Sequence, residues 1–143
     1  MTKEELTLIA AVIAALTSIF SLILGSSLAL SREKKKLVWE KQIERITALE
    51  EQVGITQEII LRHSSAEQIR IAYLEVSEDL KLQAGRFAKY PELAKSLRVF
   101  CHCCDLLLDD KLQGNDYRDS RENVPKAFDD VMKQCEQVLQ RVK

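Results

Sequence analysis

From Leu6 to Leu30 the chain reads LTLIAAVIAALTSIFSLILGSSLAL, 25 residues without one charged side chain. No other feature narrows the fold as far. As an α-helix such a run is about 37 Å long, enough to cross a hydrocarbon core of roughly 30 Å with some tilt. A soluble core helix rarely needs apolar side chains on every face over that distance. A secretory signal peptide is the rival reading. The leader MTKEE speaks against it, with one lysine and two glutamates where a signal peptide carries a positive n-region. The run also exceeds the usual apolar core of ~7–15 residues. The cations lie beyond it instead, at Arg32, Lys34, Lys35 and Lys36. Positive flanks stay cytoplasmic. The expectation is a retained single-pass membrane anchor, with residues 1–5 outside, 6–30 spanning the bilayer and 31–143 in the cytoplasm.

The rest of the chain is densely charged, and its apolar residues recur at helical spacing. Four glycines and two prolines in 143 residues are too few for a turn-rich sandwich or a Gly-looped nucleotide-binding domain. The expected class is all-α: one N-terminal transmembrane helix, a short helical stalk and a small cytoplasmic helical bundle. Residues 31–54 form the basic juxtamembrane segment and stalk, with Trp39, Ile46, Leu49 and Val53 at heptad a/d positions and Gln42 polar among them. Residues 55–143 form the domain. Its first full helix starts at a capping box, Ser64-x-x-Glu67 or Ser65-x-x-Gln68. Ile69, Tyr73, Val76, Leu80, Ala84 and Phe87 make its core face, and Ile71, Leu74 and Leu82 add a second apolar strip. Pro91 opens the next helix, with a stripe from Leu93 through Leu97, Phe100, Cys101, Cys104, Leu107 and Leu108 to Leu112. After the polar loop around Gly114-Asn115-Asp116, Asn123 is the expected cap of the last helix. Its stripe is Val124, Phe128, Val131, Cys135, Val138 and Val142.

Little here points to catalysis. The only histidines are His63 and His102, and the chain has no HExxH, P-loop or nucleophile elbow. Arg98 and His102 have three residues between them, fewer than the Arg–His pair of the helical ribonucleases. No catalytic residue and no cofactor is expected. Cys101-His102-Cys103-Cys104 resembles a metal cluster, but on a helix only Cys101 and Cys104 share a face. With Cys135 on another apolar stripe, these thiols read as small buried hydrophobes in a reducing compartment, with no metal.

Three features carry binding potential. Thr7, Ala11, Ala14, Ser18, Ser21 and Gly25 form a stripe of small residues inside the apolar run. Such a stripe lets helices approach closely in self-association, or lines a hydrated pore. His63, Ser64, Ser65 and Arg70 gather cations and hydroxyls at a helix N-terminus, where backbone N–H groups favour an anion. Tyr117, Arg118 and Arg121 combine an aromatic face with guanidinium groups, suited to a base and a phosphate. From Ile55 onward 14 basic residues meet 15 acidic ones, which disfavours long nucleic acid and leaves a small phosphorylated ligand.

A short outer end, one membrane helix, a stalk and a small helical domain together resemble the compact membrane effectors of type III CRISPR antiviral defence. The resemblance covers the layout of residues 6–143. It implies a homo-oligomer of a bacterial inner (plasma) membrane, a tetramer being one form, whose cytoplasmic domain binds a cyclic nucleotide second messenger. A cyclic oligoadenylate such as cyclic tetra-adenylate is the favoured ligand, and its binding perturbs the membrane helices. The usual sensor of such effectors is an α/β Rossmann-like domain, and this chain departs from it. The alternative is a membrane-anchored scaffold that recruits a protein through the strip Ile71, Leu74, Leu82.

Overall fold

The computed structural model describes residues 2–142, and of Val142 the backbone alone. The chain folds into α1 (Lys3–Leu61), α2 (Ala66–Arg86), α3 (Pro91–Gln113) and α4 (Arg118–Val142), with no strand among the described residues. The fold is all-α. It divides into two compact units, Met1–Lys41 and Gln42–Lys143.

The first unit holds the apolar run, and α1 is the one helix among the described residues long and apolar enough to cross a membrane. None of its apolar window is buried. Leu8 is 70% and Leu22 73% exposed. Several of its hydroxyls turn back on their own helix: Thr7 donates to the Lys3 carbonyl at 2.8 Å, Thr17 to Ile13 at 2.7 Å and Ser18 to Ala14 at 2.9 Å. This satisfies the polar atoms locally, as an apolar solvent requires.

The second unit is built from residues 42–61 of α1 together with α2, α3 and α4. Its core is one cluster centred on Ile46, Leu49, Val53 and Ile60 of α1, Ile69, Tyr73 and Leu80 of α2, Leu93, Leu97, Phe100, Cys104 and Leu107 of α3, and Val124, Val131 and Cys135 of α4. This corrects the stalk and the boundary at residue 54. Ile46, Leu49 and Val53 have the spacing of a coiled-coil seam, but they are buried within the unit by its own helices. A seam of two heptads has the same periodicity as one face of a bundle helix, so spacing alone does not separate the two.

Local chemistry sets the helix ends. Of the two possible caps before α2, Ser65 is the one used. It is extended at φ −60°, ψ 145°, and its hydroxyl accepts from the Gln68 N–H at 3.4 Å. Pro91 occupies the first turn of α3. At the other end of α3, Gly114 takes the left-handed conformation at φ 71°, and the Asn115 N–H donates to the Asp110 carbonyl at 2.9 Å. Leu112, expected in the core stripe, is exposed just before that cap. Asn123 is not a cap, because α4 begins at Arg118 and carries Pro125 inside it. Three bonds secure the earlier start: the Asp116 carboxylate accepts from the Arg118 N–H at 3.2 Å, the Arg121 N–H donates to the Tyr117 carbonyl at 2.8 Å, and the Ser120 hydroxyl donates to the Asp110 carboxylate. They offset the single helix bond that Pro125 omits. Ala127 joins the buried stripe while Phe128 is half-buried; the expected stripe member Val142 has its side chain outside the described residues.

Candidate functional site

Polar side chains converge where α1 ends. The last turn of α1 contains no basic residue, so its final carbonyls lack the usual cationic neighbour on their own helix. Two cations from elsewhere take that place. Lys111, in the last turn of α3, donates from Nζ to the Ile60 carbonyl at 3.0 Å and to the Arg62 carbonyl at 3.4 Å. Arg121, in α4, donates from Nη2 to the Leu61 carbonyl at 3.3 Å. Burial, and then the nearby Arg121 guanidinium, pulls the Lys111 ammonium below its ordinary pKa.

The same Arg121 Nη2 lies 3.5 Å from Nε2 of His63. The two groups of residues expected as separate sites therefore meet at one end of the bundle, through His63 and Arg121. An open groove of about 450 Å³ lies beside them, lined by Leu61, Arg118, Arg121, Glu122 and Pro125. The Tyr117 ring has the Lys111 ammonium 5.7 Å from its centroid, within cation–π range.

The other expected residues have different partners. Ser64 is exposed, and the Ser65 hydroxyl serves as the α2 cap. Arg70 is clasped by the Glu67 carboxylate one turn earlier. That hydrogen bond holds the Glu67 carboxyl below its ordinary pKa and raises that of Arg70. Arg118 reaches the groove and also sits 3.3 Å from the Asp116 carboxylate. Lys111 is the member that sequence reasoning missed. A lysine just before a Gly cap reads as an ordinary helix C-terminal cation, and only the fold shows that it serves a different helix.

A second polar group links α2 to α3. The buried Tyr73 hydroxyl donates to the Asp105 carboxylate at 2.7 Å, and Lys81 reaches the same carboxylate at 3.1 Å. Desolvation, reinforced by that hydrogen bond, drives the phenol pKa well upward. Bonded from α2 to α3 in this way, the group reads as a clasp between helices. Cys101, Cys104 and Cys135 are free and buried; burial pushes the Cys101 thiol up to about 11 and that of Cys135 up to about 12. Among the described residues no group of three His, Cys, Asp or Glu side chains could hold a metal ion.

In the first unit, Thr7, Ala11, Ala14, Ser18, Ser21 and Gly25 are all exposed, and a Cβ added at Gly25 would meet nothing within 4 Å. The stripe is therefore open to whatever surrounds this helix. Comparison of the chain with protein-family models, with curated proteins and with solved structures finds no match.

Proposed function

We propose that this chain is a membrane-anchored, homo-oligomeric effector whose helical domain binds a small phosphorylated ligand at the end of the bundle where α1 stops. The observation that carries this reading is the meeting of His63 and Arg121, 58 residues apart in sequence, beside a groove that Arg118 also lines. A guanidinium offers five N–H donors in a rigid fork. Capping the Leu61 carbonyl leaves donors of Arg121 for a phosphate oxygen. Glu122 on the groove wall favours a ligand that brings donors of its own, such as ribose hydroxyls or a base amine, over bare phosphate. A cyclic oligoadenylate meets that requirement and is the ligand the effector resemblance implies.

The mechanism follows from the double duty of Arg121. A ligand that draws the guanidinium toward itself weakens the cap on α1, the same helix that carries the apolar run. Binding then favours one arrangement of the oligomer over another, by as much as its affinity differs between them. In this reading the apolar run is a retained anchor in a bacterial inner membrane, the domain is cytoplasmic, and Thr7 to Gly25 is where the membrane helices associate.

The test uses the full chain in detergent or nanodiscs. Thermal stability and native mass are measured with inorganic phosphate, cyclic mono- and dinucleotides and cyclic tetra-adenylate. A ligand held only by the folded state at a hundred times its Kd stabilises by about 2.7 kcal/mol. The expected result is a rise in Tm with one cyclic nucleotide that Arg118→Ala abolishes. Arg118→Ala leaves the apo Tm unchanged, because Arg118 caps no helix. No shift with any ligand would sink the proposal.

One observation favours a scaffold as the second reading. Ile71, Leu74 and Leu82 point outward from α2 at 62%, 50% and 62% exposure. A partner protein seated there would lose its hold on Leu74→Glu/Leu82→Glu while the Tm of the domain stayed the same.

A further inference from the structure

Two neighbouring helices of the domain leave apolar side chains in water on their outer faces. On α2 these are Ile71, Leu74 and Leu82; on α3 they are Val99 and Leu106, each 46% exposed. Both sets belong to stripes at helical spacing. The α2 stripe runs Ile71, Leu74, Glu78, Leu82, and the α3 stripe runs Lys95, Val99, His102, Leu106, all of them exposed.

The levels of the two stripes are fixed within one copy. Arg86 ends α2 and Pro91 opens α3, while toward the other end the Tyr73 hydroxyl bonds the Asp105 carboxylate. The helices are therefore antiparallel, and a common rise per residue sets the levels between those points. Ile71 lies level with Leu106, Glu75 with His102, Glu78 with Arg98 and Val99, and Leu82 with Lys95, each within about 3 Å.

The charges sort by level as well. Glu75 and Glu78 on α2, and Lys95 and Arg98 on α3, are exposed and form no ion pair among the described residues. The other charges nearby are already matched. Lys81 reaches Asp105, Arg70 is held by Glu67, and Asp110 bonds Ser120 of α4. By level, Arg86 falls beside Glu92, and Asp109 beside the Glu67–Arg70 pair; Asp79 lies off the α2 stripe. The middle of one stripe is thus acidic and the middle of the other basic.

We propose that this face binds a second copy of the chain, α2 of each copy lying along α3 of the other about a two-fold axis parallel to the helices. Rotation about such an axis shifts nothing along it, so residues level within one copy are also level between copies. Ile71 then meets Leu106 of the second copy, and Glu75 and Glu78 meet His102 and Arg98. The Lys95 stem covers Leu82. Setting α2 against α2 instead would put Glu75 and Glu78 on both sides of the contact, where like charges repel. The inference rests on the homo-oligomeric part of the reading above and on no ligand.

The experiment uses the full chain in nanodiscs, in a Cys103→Ser background. Cys101 and Cys135, whose thiols burial raises to about 11 and about 12, stay unreactive at neutral pH, as does the buried Cys104. Chains with Ile71→Cys are mixed in detergent with chains carrying Leu106→Cys, reconstituted and treated with a short bismaleimide. The expected result is a covalent dimer in the mixture, severalfold above either chain alone. It is also severalfold above a mixture in which Lys133→Cys, on α4, replaces Leu106→Cys. Glu78→Arg in the Ile71→Cys chain lowers the yield severalfold, and Arg98→Glu added to the Leu106→Cys chain restores it. A dimer formed as readily by Ile71→Cys alone would overturn the pairing of α2 with α3. Failure of Arg98→Glu to restore the yield would overturn the charge contacts. Native mass separates the inference from its premise. A monomeric chain removes the homo-oligomer and this face together. An oligomer without mixed product removes this face alone and leaves the strip to a partner protein.

Discussion

The apolar run of α1 and the helix α4 are each 25 residues long and helical throughout, yet their burial is opposite. In α4 a narrow stripe, Val124, Val131 and Cys135 among its members, is withdrawn from solvent completely, and charged residues cover the rest. In the run from Leu6 to Leu30 apolar residues occupy every face and all of them are exposed. The more hydrophobic helix is the less buried one. Periodicity, more than hydrophobicity, decides whether a helix finds its solvent in a protein core. Where the apolar character has no period, the solvent must come from outside the chain.

The largest test of that contrast pairs two phenylalanines. Phe100 is fully buried in the domain, and Phe100→Ala is expected to cost about 3–5 kcal/mol of its stability, read by thermal or denaturant unfolding of the detergent-solubilised chain. Phe20 is 65% exposed, and Phe20→Ala is expected to leave that unfolding transition in place. Equal losses would mean that the run packs on the domain core. Next in size, Leu16→Arg puts a charge near the middle of the run and is expected to oppose membrane insertion by about 2.5–3.5 kcal/mol. Its measure is the fraction resisting alkaline carbonate extraction, and an unchanged fraction would break the anchor reading.

Smaller effects sharpen the domain side. Gly114→Ala forces a Cβ into the left-handed conformation at φ 71° and is expected to lower domain stability by about 1–2 kcal/mol. Gly25→Ala, in ordinary helix with open space around it, is expected to leave domain stability unchanged. The smallest effect is a slope with pH. Cys101 and Cys135 ionise near the ordinary 9.0 when unfolded, but only at about 11 and about 12 when folded. Above pH 9 the unfolded chain therefore binds fewer protons than the folded one, and stability falls as pH rises. Below pH 9 these thiols contribute no slope. Cys101→Ala/Cys135→Ala is expected to flatten the alkaline limb; an unaltered slope would place its origin elsewhere, Tyr73 being the next candidate.

Much of the fold was legible because helices announce themselves by period. The stripes of α2 and α3 match the buried residues nearly position by position, and Pro91 marked the start of α3 correctly. Two errors have clear causes. Ile46, Leu49 and Val53 follow a heptad, and a heptad does not say whether its partner is another chain or the next helix. Asn123-Val124-Pro125 imitates a helix start, while the real start at Arg118 depends on an Asp110–Ser120 bond across a loop. The site was legible only in pieces. His63 and Arg121 each stood out by residue type, but their meeting depends on how α1 and α4 pack. Lys111 carried no sequence signal beyond that of a common helix end.

The capping of α1 by Lys111 and Arg121 also bears on how the protein is made. Synthesis proceeds from the N-terminus, so Ile60, Leu61 and Arg62 emerge long before the side chains that will accept partnership with their carbonyls. The last face of the core arrives only with α4. A chain whose apolar run has already entered a bilayer waits for those residues as an unfinished bundle confined to a surface, where neighbouring copies are concentrated in two dimensions. The four-residue connection from α3 keeps α4 nearest to its own open face, and exchange of that helix with a neighbouring copy is the misassembly that competes with it.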